Sequence, residues 1–102
     1  MEKIENYING NFSSNSEKTQ QVFNPSTGES IAKVVMSDIN DFKKTINSSK
    51  KAFEYWKEVT PLKRSRILSK FKNNIEKDID KIAKIISQEH GKTLDDSKGS
   101  IT

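Results

Sequence analysis

Cysteine is absent from the 102-residue sequence, which excludes a disulfide framework, a thiolate metal site and a cysteine nucleophile within it. Histidine occurs once, at His90, and a lone imidazole builds neither a metal site nor a catalytic pair. Apolar residues are few: they make up 31% of the chain, against about 45–50% in an average globular composition. Burial returns only about 25 cal/mol per Å² of apolar area, whereas ordering costs about 1.5 kcal/mol per residue. A self-sufficient core is therefore thin, and the chain is expected to be marginal alone. No stretch approaches the roughly 18 apolar residues of a membrane span. The opening Met1 to Tyr7 carries acids in place of a signal-peptide apolar run, so a cytoplasmic location is expected.

Glycine is scarce as well. The four glycines form neither a GxGxxG nor a GxxxxGK[ST] phosphate loop, and no internal repeat is present. Arginine is confined to Arg64 and Arg66 among 18 basic residues, which stand against 14 acids for a net charge of +4. Interspersed lysines and acids describe a solvated surface. A reader of phosphate or guanine would favour arginine and gather its charge on one face, so neither a nucleic acid nor a membrane is expected as partner. A basic nucleic-acid binder and a free-standing helical interaction module stand as alternatives. The first should show salt-dependent retention on DNA or RNA, and the second should melt cooperatively by itself.

The first third reads as strands. Tyr7-Ile8 and Phe12 flank Asn9-Gly10, the strongest short hairpin signal because both positions tolerate positive φ. Residues 13–19 are polar and predict a loop. Two β-rich runs, Gln21 to Phe23 and Ile31 to Val35, surround Asn24-Pro25-Ser26-Thr27-Gly28, whose composition matches type I turn preferences and predicts an antiparallel return.

From Ser37 the period changes. Ile39, Phe42, Ile46, Ser49, Phe53 and Trp56 fall on one helical face, with Ser37 as the expected N-cap and Asp38 in the first turn. Thr60-Pro61 starts a second helical region. Its stripe of Ile67, Leu68, Phe71 and Ile75 is followed by Ile79, Ile82, Ile85 and Ile86. Periodicity alone leaves one helix or two open, and Asn73-Asn74 and Asp78 favour a break. Gly91 is the expected C-cap, and Thr93-Leu94-Asp95-Asp96 begins a further helix.

Few residues invite a chemical role. His90, in Glu89-His90-Gly91-Lys92, reads as a protonatable group near the negative end of a helix dipole. Phe53, Tyr55 and Trp56 could stack on single-stranded nucleic acid, but Phe53 and Trp56 share the apolar face, so core packing is expected. Asp95-Asp96 are neighbours in sequence and point apart on a helix, which suits them to dipole compensation better than to acid–base work.

The strings Tyr7-Ile8-Asn9-Gly10, Phe23-Asn24-Pro25-Ser26-Thr27-Gly28-Glu29 and Ile31-Ala32-Lys33-Val34 stand in one order with Ala52-Phe53, Trp56, Arg64-Ser65-Arg66-Ile67-Leu68 and Glu89-His90-Gly91-Lys92-Thr93-Leu94. So arranged, the chain resembles the opening of the NAD(P)-dependent aldehyde dehydrogenases from about Tyr7 to Gly99. Val22 to Glu29, Leu68 to Lys72 and Ile85 to Thr93 are most similar to the coenzyme A-acylating methylmalonate-semialdehyde dehydrogenase branch. A hydrolytic aldehyde dehydrogenase is the alternative within the family.

The resemblance implies an α/β fold, here the N-terminal part of the aldehyde dehydrogenase fold with short antiparallel β-strands followed by about three α-helices. Residues 1–102 would form part of the N-terminal, coenzyme-binding domain, with strands and loops over 1–36 and a helical segment over 37–102. It further implies a whole enzyme, a homo-oligomer, that oxidises a small-molecule semialdehyde. In that chemistry a cysteine adds to the aldehyde, hydride passes to NAD, and the thioester is released to coenzyme A, with an oxyanion hole holding the tetrahedral oxygen. The family's cysteine, general-base glutamate, oxyanion-hole asparagine and nucleotide segments all come later than the matched region. No catalytic, cofactor-binding or metal residue is therefore assigned here, and neither NAD nor coenzyme A is expected to bind this stretch. In some members a monovalent cation sits at positions matching Val22, Phe23 and Glu89, with Asp where this chain has Glu89. Ser100 departs from the acid the family commonly has after Gly99. An arginine facing the substrate carboxylate is expected a few residues beyond Thr102.

Overall fold

A computed structural model describes residues 2–102. The chain divides into two compact units, one formed by the residues up to Val22 with Ser30–Glu58 and the other by Phe23–Glu29 with Val59–Thr102.

In the first unit, β2 (Tyr7–Ile8) and β3 (Asn11–Phe12) pair antiparallel, Tyr7 opposite Phe12 and Ile8 opposite Asn11. Asn9 and Gly10 turn the chain with φ of 52° and 78°, the two positive angles that a two-residue type I′ hairpin demands. Tyr7 and Phe12 meet edge to face at 5.0 Å. A three-stranded sheet runs in the order β1 (Glu2–Ile4), β5 (Ser30–Val35), β4 (Thr19–Phe23). The link between β4 and β5 is far too short for a crossover, so these neighbours are antiparallel, and the Met36 N–H closes the pair on the Lys18 carbonyl at 2.8 Å. The parallel β1–β5 pairing, Lys3 opposite Lys33, lies outside the sequence expectation. Ala32 and Val35 of β5 are buried, as is Ile8.

Helix α1 (Ile39–Trp56) follows. Its N-cap is Asp38, not Ser37. The Asp38 Oδ1 accepts the Asp41 N–H at 2.9 Å and the Asp41 Oδ2 accepts the Asp38 N–H at 3.1 Å, a reciprocal capping box. A carboxylate outcompetes the neighbouring hydroxyl because it accepts with full charge at the positive helix end. Ser37 instead exchanges hydrogen bonds with the Asn6 side chain.

In the second unit, the segment from Asn24 to Glu29 is a reverse turn. The Asn24 carbonyl accepts the Gly28 N–H at 2.7 Å and the Thr27 N–H only at 3.3 Å, so the turn is one residue wider than the type I form expected from its composition. Gly28 takes φ 75° to close it. Helix α2 (Pro61–Lys77) starts as expected, with the Thr60 Oγ1 accepting the Lys63 N–H and Pro61 at the first position. The break falls at Asp78, and Asn73-Asn74 stay helical. Helix α3 (Ile79–His90) ends at Gly91 with φ 84°, and α4 (Leu94–Ile101) begins on the Thr93 cap. There are thus four helices among the described residues. The tightest packing joins α3 and α4, where Ala83 and Ser97 are completely buried and Ser87 Oγ lies 2.9 Å from Ser97 Oγ.

The expected core stripe of α1 is not covered within the described residues: Phe42 is 59% and Phe53 58% exposed, and Trp56 is half-buried. The buried apolar residues are instead Ile8, Ala32, Val35, Val59 and Ala83.

Candidate functional site

The polar groups are best judged by what already occupies them. Asp41 is the most enclosed charge, 2% exposed. Its carboxylate accepts the Asn15 N–H at 2.6 Å and the Ser16 N–H at 3.3 Å in addition to the Asp38 N–H. These bonds hold its pKa below the ordinary carboxylate value, the Asn15 N–H contributing most and burial opposing. With both carboxylate oxygens accepting backbone N–H groups, Asp41 is a structural clasp for the 13–19 loop. Sequence reasoning passed over it, although Asp38-x-x-Asp41 carries the spacing of a capping box.

Around Gly91 the arrangement is one of packing. An added Cβ there would stand 3.1 Å from Pro25 Cγ, so the Asn24–Glu29 turn rests against the end of α3. Glu89 and His90 are exposed at that end, and the Lys92 Nζ donates to Ser100 Oγ at 3.0 Å. Asp95 and Asp96 lie in the first turn of α4, both exposed, with the Asp96 N–H on Thr93 Oγ1. Lys98 pairs with Asp80 at 3.0 Å. The hydrogen bond and charge of that carboxylate raise the Lys98 pKa, with a small further contribution from Asp95.

No group of three or more His, Cys, Asp or Glu side chains converges on a metal position among the described residues. The helix N-termini, where a nucleotide phosphate would sit, are filled by the chain's own groups: carboxylates at α1, Thr60 and Pro61 at α2, Thr93 with two first-turn acids at α4. Helix α3 has Asp78 at its cap and, in its first turn, Asp80, which pairs with Lys98. No described helix is long and apolar enough to cross a membrane.

Short strands feed capped, amphipathic helices, and the Asn-Pro turn is seated on the helix end that carries Glu-His-Gly-Lys, an α/β arrangement. The chain belongs to the aldehyde dehydrogenase family, whose model matches residues 12–102. It is 40% identical over 101 residues to a malonate-semialdehyde dehydrogenase of Pseudomonas aeruginosa, covering 99% of this chain and 20% of that protein. Over 96 residues it is 41% identical to a protein of Dictyostelium discoideum described as a mitochondrial, acylating methylmalonate-semialdehyde/malonate-semialdehyde dehydrogenase, covering 93% of this chain and 18% of the relative. A Sinorhizobium meliloti structure described as a methylmalonate-semialdehyde dehydrogenase, complexed with NAD, superposes with a TM-score of 0.94 at 32% identity, covering 97% of this chain and 20% of that one. The chain thus spans about a fifth of the length of the relatives it matches, and it corresponds to the N-terminal part of their fold.

Proposed function

We propose that this chain is the front segment of an NAD-dependent, coenzyme A-acylating methylmalonate-semialdehyde dehydrogenase, contributing part of the N-terminal coenzyme-binding domain and catalysing nothing by itself. The observation that carries the reading is the match from residue 12 to 102, with semialdehyde dehydrogenases among its relatives. Malonate and methylmalonate semialdehydes share a carboxylate, so a small carboxylated semialdehyde is the substrate class in either case. NAD and coenzyme A would be held by segments beyond those described, and the complete enzyme would be a homo-oligomer.

The role of this segment is scaffolding. Its capped helices present apolar faces, Ile46 and Phe53 on α1 and Leu68 and Phe71 on α2, each of them more than one-third exposed. In the complete enzyme, later segments would cover them.

Two measurements test this. The purified chain should reduce no NAD with methylmalonate semialdehyde, propanal or acetaldehyde, and turnover that survives removal of contaminating dehydrogenases would overturn the scaffold role. The encoding reading frame should continue with a carboxylate-facing arginine, a glycine-containing turn between a strand and a helix, and a cysteine in its second half. A continuation without the cysteine removes the proposed activity.

A further inference from the structure

We propose that Asn9 is a site of spontaneous covalent modification, converting through a cyclic imide to isoaspartate and aspartate. Both halves of the reacting pair are open. Asn9 and Gly10 are exposed at the tip of the β2–β3 hairpin, and nothing lies within 4 Å of the position a Gly10 Cβ would take. The reaction needs two things: a side-chain amide free to rotate, and a following backbone N–H that can lose its proton and approach the amide carbon without a side chain in the way.

The other asparagines each lack one of these. Asn6 is tied to Ser37, Asn11 donates to the Asn9 carbonyl at 3.2 Å, and Asn15 donates to Asp38 at 2.8 Å. Asn24 precedes Pro25, which has no N–H. Asn40, Asn47, Asn73 and Asn74 lie inside helices, with the backbone after them held in helical geometry. The Asn9 side-chain amide takes no hydrogen-bond partner among the described residues, and neither does the Gly10 N–H. Asn9 alone is also followed by glycine, the residue with the greatest backbone freedom to leave its turn conformation.

The chemistry balances without an oxidant or cofactor. Hydroxide removes the Gly10 amide proton and becomes water, the nitrogen attacks Asn9 Cγ, and the bond from Cγ to the side-chain nitrogen breaks as that nitrogen takes a proton from the water, so that ammonia departs and hydroxide is regenerated. Water then opens the imide. Attack at the main-chain carbonyl leaves isoaspartate, with the chain now running through the former side chain; attack at the other carbonyl leaves aspartate. Either product adds one negative charge beside Lys44 and Lys51, which share a hollow with Ile8, Asn9, Asn47 and Ser48. Isoaspartate also lengthens the main chain by one methylene in a two-residue loop whose geometry sets the hairpin register, and so disturbs the seat of buried Ile8.

The full chain, aged at mildly alkaline pH, is digested and its asparagines followed by mass spectrometry, with isoaspartate read separately by an isoaspartyl methyltransferase labelling assay. Conversion should be fastest at Asn9, should accelerate with pH, and should include isoaspartate. In Asn9→Gly, which keeps a turn able to take positive φ, the methyltransferase signal should vanish. Two results would overturn the proposal: an intact Asn9 in the folded chain over a period in which the urea-unfolded chain converts there, or an undiminished methyltransferase signal in Asn9→Gly.

Discussion

The Asp41 carboxylate draws the Asn15 N–H to 2.6 Å, fastening a polar loop to the start of α1 across 26 positions of sequence. Because these bonds depress the Asp41 pKa in the folded chain, the unfolded chain binds the proton more readily. Stability from this group is therefore complete above the unfolded carboxylate value and is lost as pH falls through the folded one. Thermal midpoints by circular dichroism should drop on acidification through that window, and Asp41→Asn should lower the midpoint at neutral pH while flattening the acid limb. An unchanged acid limb in the variant would remove Asp41 as its source.

Gly91 and Pro25 make the second test. A residue with a Cβ at φ 84° costs about 1–2 kcal/mol through backbone strain, and here the Cβ would also press on Pro25 Cγ at 3.1 Å. Gly91→Ala should therefore destabilise by about 1–2 kcal/mol or more. Pro25→Ala in the same background should recover the steric part, giving a non-additive double-mutant cycle by urea unfolding. Strict additivity would mean that the turn does not rest on the end of α3.

How much of this was legible beforehand depended on whether the determining contacts were local. The Asn9-Gly10 hairpin, the Thr60-Pro61 start, the Gly91 stop and the Thr93 cap are dictated by residues within a few positions of one another, and each was readable. Strand β1 was not, because Glu2–Ile4 has no β-rich composition and acquires its structure only by pairing with β5 some thirty residues away. Asp41 had a local signal in its capping-box spacing from Asp38, but its role as a clasp was not readable, because its partners Asn15 and Ser16 are distant in sequence. The stripe of Phe42 and Phe53 was correctly placed on one helix face, but amphipathicity specifies a face that favours cover and does not name the covering segment.

Ala83 and Ser97 define the closest approach of α3 and α4, both fully buried. Small residues are needed at that contact, so Ala83→Leu should overpack it and cost about 1–3 kcal/mol. Ala52→Leu is the control, an exposed position of α1 where the change should stay within about 0.5 kcal/mol. Urea denaturation of the two variants separates the cases, and equal stabilities would show that the α3–α4 contact has room to spare.

Phe42 supplies the last test because its exposure distinguishes this chain from the longer enzyme proposed for it. At 59% exposed, its ring contributes little to the stability of the 102 residues, and a carboxylate in the first turn of α1 suits the helix dipole. Phe42→Glu should therefore change the unfolding free energy of the isolated chain by no more than about 0.5 kcal/mol, while reducing self-association and the binding of an apolar dye such as ANS. In a longer chain whose later segments bury this face, the same substitution removes a core aromatic and buries a charge, and it should cost at least the roughly 3–5 kcal/mol typical of losing a buried phenylalanine. Measuring both chains side by side decides the matter: a large loss in the isolated chain would mean that Phe42 is already buried there, and a negligible loss in the longer chain would mean that the α1 face faces solvent in the complete enzyme.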